Sequence, residues 1–118
     1  MPDEILQQNF TSALNYAVSL RQLKRFAEAR SLLRKTIPVA RRVCGDSHRI
    51  TLTMRWAYAR ALRDDTGATL DDLREAVTSI ADTERIARRV LGGAHPLTEE
   101  LEDGLRDARA ALSTRESS

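Results

Sequence analysis

Trp56, Arg60 and Arg63 are spaced four and three residues apart, so on an α-helix they share one face. A tryptophan beside two guanidinium groups is the composition of a protein-binding hot spot, with area from the ring and directional charge from the arginines. The same residues also read as a ring packed between helices with solvated arginines beside it. Other reactive types are sparse. His48 follows Gly45 and precedes Thr51, and His95 follows Gly92 and precedes Thr98, which suits imidazoles that tie a turn to the next helix better than metal or acid–base chemistry. Cys44 is the only cysteine, and Leu91 holds the matching place before Gly92, so Cys44 reads as a small core residue rather than a redox thiol. The carboxylate pairs Asp64-Asp65, Asp71-Asp72, Glu99-Glu100 and Glu102-Asp103 are sequence neighbours suited to helix ends and solvated faces. No hydroxyl has a base at recognisable spacing, and no glycine-rich loop follows a strand. The expectation is a non-enzymatic chain with no cofactor and no metal.

Such residues need a frame, and 118 residues suffice for one domain. The composition is 42% hydrophobic and 31% charged with only 4% aromatic, which favours helices over β-structure. No apolar run approaches the roughly 20 residues of a membrane span, and the start MPDEILQQNF resembles no signal peptide. The unpaired cysteine fits a reducing, cytoplasmic setting. The net charge of +2 hides a division. Residues 1–63 carry +8 (twelve basic against four acidic) and residues 64–118 carry −6 (seven against thirteen).

Apolar residues recur at helical spacing in five stripes: Leu6 to Leu20, Phe26 to Val43, Leu52 to Leu62, Leu70 to Val90 and Leu97 to Leu112. Turns are marked by Lys24-Arg25, Gly45-Asp46-Ser47, Asp65-Thr66-Gly67 and Gly92-Gly93. Connections this short predict antiparallel helical hairpins. Ser47 and Thr69 are the expected N-caps, Gly45 and Gly92 the expected left-handed C-caps, and Pro38 predicts a kink in a helix that continues to Val43. The helical domain is expected over residues 1–113, with a polar tail over 114–118.

The chain repeats itself. ARRVCGDSHRIT (40–51) and ARRVLGGAHPLT (87–98) share Ala, Arg, Arg, Val, Gly, His and Thr at a spacing of 47, and NYAVSL (15–20) aligns with AYARAL (57–62) at a spacing of 42. RQLKRFAEA is matched by the longer RDDTGATLDDLREA, which extends the second turn. Such a period marks a solenoid of helix pairs. LNYAVSLRQLKRFAEA followed by LLRKTIPVARRVCGDSHRITL resembles the 42-residue tetratricopeptide (TPR) repeats of kinesin light chains over about residues 5–112. It departs at Cys44, at Arg49 in place of a proline, at Lys24 in place of the turn glycine, and in the longer second turn. The resemblance implies an all-α, right-handed solenoid of five helices, about two and a half repeats.

The resemblance also implies a concave groove lined by the first helix of each hairpin. Its ligand-facing slots fall on Thr11, Leu14, Asn15, Val18, Arg21 and Gln22, and on Thr53, Trp56, Ala57, Arg60, Arg63 and Asp64. Asn15 matches a groove asparagine that in this family commonly bonds a peptide backbone. Leu14, Asn15, Val18, Arg21, Trp56, Arg60 and Arg63 are the expected peptide-binding residues. Glu100, Asp103 and Asp107 fill these slots in the last helix, as a solenoid cap would, with Leu97, Leu101 and Leu105 turned inward. The expected function is a protein–protein interaction module that holds an acidic peptide in this groove. On that reading Trp56→Ala and Arg60→Glu weaken binding without unfolding the protein. The alternative is a homo-oligomer formed through the oppositely charged halves. Nucleic acid is disfavoured as a partner by two lysines and an acidic second half.

Overall fold

The structure, a computed structural model, describes residues 3–117, with side chains from residue 9 onward. Five α-helices follow one another: α1 (Asp3–Gln22), α2 (Phe26–Cys44), α3 (Arg49–Asp64), α4 (Leu70–Leu91) and α5 (Pro96–Glu116). No described helix is long and apolar enough to cross a membrane. Leu6, expected in the first stripe, lies outside the described side chains.

Helix ends follow local chemistry. The predicted cap at Thr69 forms a full capping box, with Thr69 Oγ1 accepting from Asp72 N and the Asp72 carboxylate accepting from Thr69 N, each at 3.0 Å. Ser47 does not cap α3. His48 does, its Nδ1 accepting from Ile50 N at 3.1 Å, and His95 Nδ1 accepts identically from Leu97 N. The imidazole reaches the free N–H that a serine one residue earlier cannot. Gly45 and Gly92 end α2 and α4 at φ +94° and +92°, but with ψ of 163° and 157°. This is the extended glycine region rather than the left-handed helical one. Lys24 stands at φ 63° in the first turn, the conformation a glycine would take without strain. Helix α2 runs through Pro38 to Cys44. Helix α5 continues into the expected tail as far as Glu116, because Arg115 Nη1 donates to Ala68 O at 2.8 Å and Arg74 meets Glu116 at 3.6 Å.

Packing makes α3 the centre. One core cluster joins Leu52, Trp56 and Ala59 of α3 to Ile80, Ala87, Leu97, Leu101 and Ala108. A second joins Met54 and Ala57 to Phe10, Leu14, Ala17, Leu33 and Ala40, and a third joins Ala61 to Leu20 and Ala29. The many alanines let helix axes approach closely, while each buried Leu or Ile contributes about 2 kcal/mol. Helices α1 and α5 each contact α3 to form an inner row, whereas α2 and α4 pack on α3 with their backbones apart. The inner row is therefore the short, concave side.

The two outward faces differ from the interior at equivalent slots. Met54 and Leu101 are buried, while Ser12 in their slot on α1 is exposed; Ala61 and Ala108 are buried, while Ser19 is exposed. Leu52, Trp56 and Ala59 are buried, while Glu99, Asp103 and Arg106 in their slots on α5 are exposed. Leu97 and Leu101 turn inward as expected, with Leu105 half-buried. The charged halves are stitched together at their boundary: Arg21 meets Asp64 at 3.2 Å, and Arg30 meets Asp65 at 3.7 Å and Asp72 at 3.4 Å.

Candidate functional site

The concave row brings Arg21, Trp56, Arg60 and Arg63 together. Helical spacing stacks Trp56, Arg60 and Arg63 on one face of α3, with the Arg60 and Arg63 guanidinium carbons 5.3 and 5.7 Å from the indole centroid. These three residues and Glu100, Asp103, Gly104 and Asp107 of α5 line a cleft of about 220 Å³.

Trp56 itself is 8% exposed and belongs to the core, so the packing alternative describes most of its surface and only an edge borders the cleft. Its burial depends on Gly104, where an added Cβ would be driven into the six-membered ring of the indole. Trp56→Ala therefore opens a cavity as well as altering the cleft, and it cannot serve as the fold-neutral variant that the sequence suggests. Leu14 is likewise 8% exposed and packs with Val18 in the second core cluster, whereas Asn15 is exposed.

Electrostatics divide the three arginines. Asp64 accepts from Arg21 Nη1 at 3.2 Å and from Arg63 Nε at 3.0 Å, and Asp107 lies 4.0 Å from Arg63. Arg60 makes no ion pair with any described residue. Burial lowers its pKa, as do the positive neighbours Arg21 and Arg63, while Asp64 and Glu100 pull the other way. Two buried N–H donors here lack acceptors, Arg60 Nε and Trp56 Nε1. An unmet buried donor costs about 1–3 kcal/mol, and both atoms are closed off from solvent, so the accessible part of Arg60 is the rest of its guanidinium on the cleft wall. Sequence reasoning overlooked Gly104, although a glycine inside a helix is itself a signal, because it costs about 1 kcal/mol relative to alanine unless something needs the space. It also missed Asp64 as the counter-ion of its own groove arginines.

The tetratricopeptide repeat family model matches residues 9–68, which spans most of α1, all of α2 and α3, and the turn that follows. No curated protein and no solved structure matches the chain. The matched segment contains the first hairpin, the His48-capped turn and the helix that carries Trp56, Arg60 and Arg63. Tetratricopeptide repeats are in general scaffolds for protein–protein interaction. Residue slots that recur in register, antiparallel hairpins and the matched half of the sequence agree: the chain belongs to the tetratricopeptide repeat family.

Proposed function

We propose that this stack is an interaction module that holds an extended peptide along its concave row, with a partner carboxylate received at Arg60. The observation that carries the reading is Arg60, a cleft-lining guanidinium with no ion pair among the described residues, beside Arg21 and Arg63 that Asp64 already neutralises. Arg60 is thus the anchor, Arg21 and Arg63 are held in place by Asp64, and exposed Asn15 lies upstream as a backbone clamp. The preference is for one well-placed acid rather than a polyanion, since Glu100, Asp103 and Asp107 line the same cleft. Self-association through opposite charge has less to draw on, because Arg21, Arg30 and Arg63 meet their acids within the chain. A reducing, cytoplasmic setting accords with the single cysteine.

Trp56 is the only tryptophan, so its fluorescence reports on this site directly. Titration with short peptides that carry one Glu, one Gln or one Lys in an otherwise identical extended sequence is expected to give a saturable change with Glu alone, weakened by salt and lost in Arg60→Gln. Equal responses to the Glu and Gln peptides, or an unchanged response in Arg60→Gln, would overturn the assignment.

A further inference from the structure

The outer row holds a second opening. Because the backbones of α2 and α4 stay apart, α3 forms the floor between them, and a cleft of about 300 Å³ remains. Ile37, Pro38 and the Tyr58 ring give it apolar surface, while Arg34, Arg41 and Arg55 give it charge against one carboxylate, Glu75. Arg34 Nε donates to the Tyr58 hydroxyl at 2.9 Å, which donates to Glu75 at 2.8 Å. Arg41 pairs with Asp46. Arg55 is half-buried and has neither hydrogen bond nor ion pair with a described residue. Burial and then Arg41 lower its pKa, against weaker support from Asp82 and Asp46.

The repeat shows what is missing. One period along, Arg88 occupies the slot of Arg41 and Glu102 the slot of Arg55, and those two form an ion pair at 3.3 Å. Between α4 and α5 Arg88 thus meets Glu102 as well as Glu84, whereas between α2 and α3 Asp46, in the slot of Gly93, answers Arg41 and Arg55 stands without a counter-ion among the described residues. An anion at Arg55, within the field of Arg41, would supply the counter-charge that Arg55 lacks.

We propose that the convex cleft is a binding site for a carboxylate carried on an apolar group, its oxygens between Arg41 and Arg55 and its apolar part against Ile37, Pro38 and Tyr58. A free aromatic acid and the C-terminal residue of a partner chain share this chemistry. Titration of the labelled full chain, followed by NMR of the Arg55 Nε–H and of Tyr58, separates them, with benzoate and benzamide as one pair of probes and a tetrapeptide ending in Phe, as acid or amide, as the other. At least one acid is expected to give saturable shifts, with about tenfold weaker binding for its amide, and Arg55→Gln is expected to abolish them. Tighter binding of benzoate assigns the site to free acids, and tighter binding of the peptide acid assigns it to a partner's C-terminus. Arg55→Glu, which sets a carboxylate near Asp46 and Asp82, is expected to bind neither acid. Acids that bind no better than their amides, or an Arg55→Gln variant that binds as the parent does, would overturn the proposal.

Discussion

The concave and convex faces meet at α3, and each presents an arginine whose charge is disfavoured by burial, Arg60 inward and Arg55 outward. Inward, α3 touches both α1 and α5, so side chains reach across: Asp64 holds Arg21 and Arg63, Gly104 admits the Trp56 ring, and what remains is a small polar cleft. Outward, α2 and α4 keep their backbones apart and meet only through side chains such as Arg30 and Asp72, and the opening between them stays larger and more apolar.

The sharpest way to break this contrast is to remove the inner ring. Trp56→Ala is expected to lose about 3–5 kcal/mol in urea denaturation, whereas Arg55→Gln on the outer face is expected to stay within about 0.5 kcal/mol. Gly104→Ala comes next, at about 2 kcal/mol, with a red shift of Trp56 emission as the ring is displaced; unchanged emission would mean that the ring does not depend on that gap. Asp64→Asn tests the inner pairing alone. It is expected to cost about 1 kcal/mol by freeing two half-buried arginines and to leave the benzoate response of the outer cleft unaltered.

Smaller effects lie at the helix ends that hold the two faces in register. Lys24→Gly is expected to raise stability by about 0.5–1 kcal/mol, since it removes the penalty of a left-handed non-glycine residue, as read from thermal melts. The Thr69 backbone N–H, with help from the Thr69 hydroxyl and Arg30, holds the Asp72 carboxyl below its usual pKa. That contribution is present above the ordinary carboxylate range of about 4 and is lost as pH falls through the lower folded value. The Tm advantage over Asp72→Asn should therefore be full near neutral pH and vanish in strong acid.

Much of the fold was legible because the repeat states it twice. His48 and His95 occupy one slot and make one bond, and Lys24 was conspicuous as the residue standing in for a turn glycine. The N-cap at Thr69 was readable, whereas the reciprocal bond from Asp72 that completes the capping box was not named from the sequence. The condition of the candidate site was not readable, because it depends on pairs far apart in sequence. Trp56 is buried by a glycine on α5 that shares a slot with Ala57, and Arg21 of α1 is neutralised by Asp64 of α3, a reach that no periodicity encodes. The sign reversal between Arg41/Arg55 and Arg88/Glu102 was written in the aligned repeats, but it acquires meaning only once α2 is seen beside α3.

Because α3 contributes side chains to all three core clusters, neither hairpin keeps its apolar face covered once α3 leaves. The chain should consequently unfold as one cooperative unit rather than fraying repeat by repeat, with the slowest amide exchange in α3. Its two binding faces would then rise and fall together on denaturation.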